Sequence, residues 1–116
     1  MLVLGSLYWG LRISLSGHEV STAESRTYQI SISAARPGEE FPVFKVTQGD
    51  IVTLLIHSDR PGEVHVHAYD EKISTLKPGG EVRMTFAAKD VGRFPVHLHD
   101  PDGSMRYLAT LEVQPR

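Results

Sequence analysis

The sequence predicts an all-β protein, folded as an antiparallel Greek-key sandwich of about seven strands. Three observations support this prediction. Apolar residues alternate with polar ones in short runs, as they do on strands that bury one face. Groups of turn-forming residues, rich in glycine, proline and aspartate, separate these runs. No segment carries apolar residues at the spacing of an amphipathic helix.

The predicted strands follow one another along the chain with turn signals between them. They cover the runs at residues 28–32, 44–46, 51–56, 64–66, 82–86, 94–98 and 107–113. The run at 51–56 is apolar on both faces, which predicts a central strand. Pro95 has no amide hydrogen to donate, so its strand is expected to be bulged or to lie at an edge there.

Composition limits the architectures and partners that are open to this chain. At 116 residues, 41% of them hydrophobic, it fits one domain that buries a core without disulfides or structural metals. Its formal net charge is −2 and its charges are interspersed, so it lacks the basic patch that nucleic-acid binding requires. It contains no cysteine, which excludes disulfides, thiolate ligands and cysteine nucleophiles.

The beginning of the chain differs from the rest. The first sixteen residues are almost uncharged and include an apolar stretch that is too short to span a bilayer. This stretch predicts an export signal, with Ser21-Thr22-Ala23 as a small-residue cleavage site, or the remnant of a membrane anchor. The alternative is a first strand. We assign residues 1–26 to this segment and its linker, and residues 27–116 to the folded domain.

Two histidine pairs carry most of the functional information. They are His65-Val66-His67 and His97-Leu98-His99, which together contain four of the six histidines. Successive side chains on a strand point to opposite faces, so each pair places two imidazoles on one face and its apolar spacer on the other. Such pairs can form a metal site if the two strands are neighbours. If they are not, each pair is an ordinary polar outer face.

Three segments of residues 27–116 occur in an order that is typical of one family. They are Val46-Thr47-Gln48-Gly49-Asp50, Ser58-Asp59-Arg60-Pro61 and the stretch at 81–94. In this order the chain resembles the cupredoxins. It is most similar to the cupredoxin-like domains of bacterial exported lipoproteins, including those linked to periplasmic iron uptake. Many of those carry V-H-V-H-G-Y-D where this sequence has Val64-His65-Val66-His67-Ala68-Tyr69-Asp70.

The resemblance also implies where a type 1 copper site would lie. It places Gly62 at the first histidine ligand and Leu98 at the cysteine ligand. A type 1 centre needs the cysteine thiolate, so blue-copper electron transfer is not expected. Met105 falls near the axial methionine of the family and His99 near its second histidine, and both matches are degraded.

The histidines are therefore predicted to form a site of their own. The resemblance implies that the strands at 64–67 and 94–98 are neighbours in one sheet. With their valine and leucine residues in the core, four imidazoles would point outward: His65, His67, His97 and His99. These ligands suit Cu(II), Zn(II) or Ni(II), with copper favoured by its intrinsic affinity. Glu63 would add an oxygen ligand or orient an imidazole, and Met105 would shift the preference towards Cu(I).

Two other classes of function stay open at this point. The first is a metal-free interaction or scaffold module with the same fold. The second is a small cupin-type metalloenzyme, because His65, His67 and Glu71 match H-x-H-x3-E and Gly79 follows at nearly the expected distance. The second cupin motif needs an asparagine, and this sequence has none.

The sequence favours binding over catalysis, because it contains no recognisable general base, nucleophile motif or cofactor motif. We therefore expect an exported, periplasmic protein that is not an enzyme. It would bind copper through its histidine pairs and handle it or deliver it to a partner protein. The N-terminal segment would tether it to the membrane if that segment is an anchor.

Overall fold

The computed structural model describes residues 22–33, 41–69 and 74–116. These residues form eight strands: β1 (Ser25–Ile32), β2 (Val43–Thr47), β3 (Ile51–Ser58), β4 (Gly62–Val66), β5 (Ser74–Leu76), β6 (Glu81–Ala87), β7 (Gly92–His99) and β8 (Met105–Gln114). None of the described residues belongs to a helix long and apolar enough to cross a membrane. The predicted signal or anchor at residues 1–16 lies outside the described residues.

The strands form two sheets. One has three strands in the order β1-β3-β6, and the other has five in the order β2-β8-β7-β4-β5. Four pairs are antiparallel, namely β3 with β6, β4 with β5, β4 with β7 and β7 with β8. The predicted all-β sandwich is therefore present, with two sheets packed on one core.

The prediction that all strands are antiparallel was wrong for two pairs. Strand β1 runs parallel to β3, and β2 runs parallel to β8. Alternating apolar residues determine which face of a strand is buried, but they carry no information on the direction of its neighbour. Consecutive strands β1 and β2 lie in different sheets, so neither direction follows from a hairpin between them.

The core lies between the sheets and is built from the alternating positions of both. In β3, Val52, Leu54 and Ile56 are buried, as expected. Burying one such side chain contributes roughly 1.5–3 kcal/mol. Tyr28 of β1 stacks on Phe44 of β2 with ring centroids 4.4 Å apart, which joins the two sheets directly.

The central position predicted for β3 is confirmed, because it pairs with β1 on one side and β6 on the other. Its second face is not fully buried, since Ile51 is 39% exposed and Leu55 is half-buried. The short strand β5 was not predicted. Three residues are too few to show a period of two, so the segment has the appearance of a loop.

The turn between β2 and β3 holds a buried carboxylate. Asp50 is 1% exposed and accepts hydrogen bonds from two backbone amides and two guanidinium groups: Glu24 N at 3.0 Å, Thr47 N at 2.9 Å, Arg26 Nε at 3.3 Å and Arg116 Nη2 at 2.7 Å. Burial alone would raise the pKa of Asp50, but these donors outweigh it and lower the pKa to about 2. We call Asp50 and its four partners the Asp50 cluster.

The Asp50 cluster joins three distant parts of the chain. Arg116 also donates to the carbonyl oxygens of Gln48, at 2.6 Å, and Thr22, at 3.2 Å. The last residue is thereby fixed to the β2–β3 turn and to the residues that precede β1. Both carboxylate oxygens of Asp50 are hydrogen-bonded in this network.

Candidate metal centre

The two histidine pairs lie on neighbouring strands. The first is at the end of β4 and the second at the end of β7, and these strands pair antiparallel in the five-stranded sheet. His65 is directly opposite His97 in the register, and Glu63 is directly opposite His99. Antiparallel pairing thus brings residues separated by about thirty positions in sequence to within one cross-strand spacing. The adjacency that the resemblance implied is present.

The imidazoles are on the outer surface of that sheet. The alternate residues Val64, Val66, Val96 and Leu98 are each 0% exposed and belong to the core. Side chains alternate along a strand, so His65, His97 and His99 point away from the core. We call the surface formed by His65, His67, His97 and His99 the histidine face.

Three of the rings form a continuous group with His99 at its centre. The rings of His65 and His99 are stacked, with centroids 3.9 Å apart and planes inclined by 8°. The centroids of His97 and His99 are 6.5 Å apart, with planes at 59°. His65 therefore leans along the diagonal towards His99 rather than directly across to His97.

His67 lies just beyond the end of β4, in a turn, and is exposed. Its amide donates to the carbonyl oxygen of Pro95 at 2.9 Å, which holds the turn beside β7. The next residue, Ala68, has a φ of 71°, in the left-handed region that glycine favours. His67 is therefore positioned by a turn, whereas the other three histidines are positioned by strands of the sheet.

The surroundings of His97 favour the neutral form of its imidazole. Partial burial lowers the pKa of His97, and the charges of His99, His67 and His65 lower it further. All four histidines thus lie close enough to influence one titration. Because a metal binds the neutral form of imidazole, a lowered pKa keeps His97 available as a ligand at lower pH.

Glu63 is in contact with the group, as its position on β4 predicted. Its Oε1 lies 3.3 Å from Nε2 of His65, which makes it an acceptor for that ring nitrogen when the nitrogen is protonated. In that tautomer Nδ1 of His65 carries the lone pair. A carboxylate in this position orients a metal-binding imidazole and fixes its tautomer.

Met105 begins β8 and is directly opposite His99 in the β7–β8 register. Cross-strand partners share a face, so Met105 is on the same outer surface, and it is 57% exposed. The methionine therefore lies at the start of a strand, on the same surface as the histidines.

The imidazoles of the histidine face do not converge on one point in this structure. Among residues 22–33, 41–69 and 74–116, no three or more histidine, cysteine, aspartate or glutamate side chains are arranged to hold a metal ion. A metal–imidazole bond is about 2 Å long, so two rings on one metal have centres roughly 4–6 Å apart. The observed separations of 3.9 Å and 6.5 Å fall just outside this range. Binding of one metal ion by these rings would therefore require a change of side-chain rotamer.

The inner position that the resemblance assigned to type 1 copper is filled by hydrocarbon. A Cβ atom built on Gly62 would lie 2.8 Å from Cδ1 of Leu98 and 2.9 Å from the carbonyl oxygen of His99. Gly62 and Leu98 are thus adjacent, as two ligands of one centre would be, but neither offers a donor atom. Leu98 is fully buried against Gly62.

His57 and Gly79 lie elsewhere among the described residues. His57 is on β3 in the opposite sheet and pairs with Glu81, with Nε2 3.1 Å from Oε2. Glu71 and His18 lie outside the described residues. Gly79 occupies a turn before β6 with a φ of 75°. Asp100 to Gly103 form a turn, in which the Gly103 amide donates to the carbonyl oxygen of Asp100 at 2.9 Å.

Sequence reasoning missed Tyr107. This residue lies directly opposite His97 in the register, with ring centroids 6.0 Å apart and planes at 65°. The register of β7 and β8 shifts between Val96 and His97, next to Pro95, where a bulge was expected. The shift leaves the β4–β7 pairing intact, so His97 stays opposite His65. It does change which residues of β8 face outward, and no periodicity in the sequence shows that.

Comparison with solved structures supports the fold. The multicopper oxidase mgLAC has a TM-score of 0.57 and 16% identity, over 81% of this chain and 40% of that one. A multi-copper oxidase from Pseudomonas Thermotolerans has a TM-score of 0.60 and 19% identity, over 82% and 31%. A copper nitrite reductase from Nitrosomonas europaea has a TM-score of 0.54 and 21% identity, over 78% and 42%. No protein-family model and no curated protein matches the sequence.

These likenesses show a cupredoxin-like fold. At identities of 16–21%, they establish the fold alone. The chain spans between about a third and two fifths of the length of these structures. They give no support to the cupin alternative.

Proposed function

We propose that this cupredoxin-like domain binds copper on its histidine face and takes part in copper handling or delivery. The ligands are drawn from His65, His67, His97 and His99. The observation that carries the proposal is the group of three imidazoles on two paired strands, with ring centroids 3.9 Å and 6.5 Å apart on an outer surface. Clustered imidazoles add little to the stability of an exposed strand, whereas imidazole is a preferred ligand of copper.

Copper is favoured over other ions by the donor set. Sites made of imidazole bind Cu(II) more tightly than Zn(II) or Ni(II), in the usual order of divalent metals. Met105, opposite His99, adds a soft thioether that favours Cu(I) if its sulfur turns towards the rings. Glu63 holds the ring of His65 and supplies a negative charge beside the cation.

Handling fits the position of the face better than catalysis does. The histidines lie on the outer surface of a sheet, so a bound ion would stay accessible to a partner molecule. Blue-copper electron transfer is not proposed, because the inner position holds Gly62 and Leu98. We further propose an extracytoplasmic location, with residues 1–26 as the export signal or membrane tether and a periplasmic protein as the recipient.

The test is a metal titration of the purified chain against a competing chelator, with Cu(II), Zn(II) and Ni(II) in turn. We expect one tight copper site in the wild-type protein. The double variant H65A/H97A should lose at least tenfold in affinity. The matched control is H57A, which removes an exposed histidine from the opposite sheet and should leave the affinity unchanged.

Two results would overturn the proposal. One is a wild-type protein without a tight copper site. The other is a double variant that binds copper as tightly as H57A does. In either case the metal-free interaction module becomes the better account of the domain, since the fold would then be present without its metal chemistry.

A further inference from the structure

A bulge in β8 brings one of its residues next to the histidine face. Val96 is opposite Ala109 in the register, but its neighbour His97 is opposite Tyr107. One step along β7 therefore corresponds to two steps along β8, and Leu108 is the extra residue. In an unbroken ladder Leu108 would be opposite His97 and Tyr107 opposite Leu98, which points into the core. The bulge instead brings Tyr107 to the outer surface and leaves Leu108 only 5% exposed.

The ring of Tyr107 is held from more than one direction. Phe41 packs against it edge to face, with centroids 4.8 Å apart and planes at 84°. The Tyr107 hydroxyl is hydrogen-bonded to the hydroxyl of Thr110, which is 6% exposed. A tyrosine with a packed ring and a bonded hydroxyl has few rotamers open to it. It is therefore a rigid neighbour.

This rigid ring limits what His97 can do. His97 has both Tyr107 and His99 as ring neighbours, at centroid separations of 6.0 Å and 6.5 Å. Because the packed ring of Tyr107 occupies the space beside His97 on β8, it restricts rotation of the imidazole towards that strand. Limiting the rotamers open to a ligand before the metal arrives reduces the entropy lost on binding.

We propose that Tyr107 is a positioning residue of the copper site, which holds the His97 imidazole towards His99. The proposal rests on the proposed function, because it assigns a role within the same site. Its action is indirect, through the ring of Tyr107 against His97, and requires no bond between the phenol oxygen and the metal. The ring should therefore matter more than the hydroxyl.

A double-mutant cycle on copper affinity tests this role. Y107A should weaken Cu(II) binding by about tenfold, as loss of a group that orients a ligand commonly does. Y107F retains the ring and should stay within about twofold of wild type. In an H97A background, Y107A should have no further effect, because the residue that it positions is already absent. Y107L, which keeps apolar volume without a flat ring, serves as a second variant if Y107A does not fold.

The outcomes separate this inference from the proposed function. A wild-type protein with a tight site and a folded Y107A or Y107L of unchanged affinity would overturn the role of Tyr107 alone. Equal losses in the wild-type and H97A backgrounds would also overturn it, since they would indicate a general structural effect. A wild-type protein without a copper site would overturn both.

Discussion

The Asp50 cluster and the histidine face are both polar groups assembled from distant parts of the chain, but they differ in how their polar atoms are satisfied. The carboxylate of Asp50 is buried and accepts four hydrogen bonds. The imidazoles of His97 and His99 lie near the surface and, among the described residues, make ring contacts rather than hydrogen bonds. The carboxylate of Asp50 has all its hydrogen-bond donors within the chain. The imidazoles of the histidine face have ring nitrogens that can bind a ligand.

This difference suggests that the Asp50 cluster contributes to folding and the histidine face to binding. Removing a buried carboxylate that accepts four hydrogen bonds leaves its donors unsatisfied, which strongly destabilises the folded state. Partly exposed imidazoles add little to folding, since water can replace any contact that they lose. Substitutions in the Asp50 cluster should therefore change mainly the free energy of unfolding. Substitutions in the histidine face should change mainly the affinity for metal.

The largest expected effect is that of D50A on stability. This change leaves the amides of Glu24 and Thr47 without their acceptor, so we expect a loss of about 3 kcal/mol in the free energy of unfolding. Urea denaturation followed by circular dichroism measures it. Copper affinity, measured under conditions where the variant is folded, should not change. A loss below about 1 kcal/mol would contradict the role of Asp50 in stability, and a weaker copper site would show that the two regions are coupled.

The second effect is the dependence of stability on acid pH. The folded state lowers the pKa of Asp50 from 3.8 to about 2, so folding favours its charged form. The contribution is complete well above pH 3.8 and is lost as the pH falls through 3.8 towards 2. The shift corresponds to about 2 kcal/mol. Denaturant titrations between pH 5 and pH 2 should show this loss in wild type and less of it in D50N. Parallel curves for the two proteins would contradict the assignment.

The third effect is a gain in stability at the edge of the histidine face. Ala68 has a φ of 71°, which an L-residue adopts at a cost and glycine does not. A68G should raise the free energy of unfolding by about 1 kcal/mol. The control is A87G on β6, where an exposed strand alanine has no such strain and glycine should be destabilising. If A68G lowers the free energy of unfolding as much as A87G does, the backbone at Ala68 is not strained.

The smallest effect on stability is expected for the histidines themselves. H65A and H97A should each change the free energy of unfolding by about 0.5 kcal/mol or less in metal-free buffer. In the presence of copper, wild type should be stabilised and the double variant should not, because only a bound ligand shifts the unfolding equilibrium. Thermal denaturation with and without copper tests this. A large loss for H97A without metal would assign the histidines to folding rather than to binding.

Much of the site could be predicted from the sequence, because alternation is a property of single strands. The outward direction of His65, His97 and His99 follows from the apolar residues between and beside them, and the pairing of their strands followed from the resemblance. The order of the rings could not be predicted. His65 stacks on His99 and not on its direct partner His97, which depends on side-chain rotamers and on sheet twist.

Residues whose position depends on irregular or distant pairing were not predictable. Tyr107 faces His97 only because Leu108 is inserted as a bulge, and a bulge reverses the alternation on which the prediction relied. Asp50 has the sequence context of an ordinary turn residue, and its role depends on Arg116, which is 66 positions away in the chain. The parallel direction of β1 and β2 is likewise a property of the whole sheet.

The most direct test of the central claim is a crystal structure of the copper-loaded protein, with an anomalous difference map recorded at the copper edge. The account predicts a single strong peak on the outer surface of β4 and β7, about 2 Å from imidazole nitrogens of at least two of His65, His97 and His99. A peak beside Gly62 and Leu98, a peak away from the histidine face, or the absence of a peak at saturating copper would contradict it.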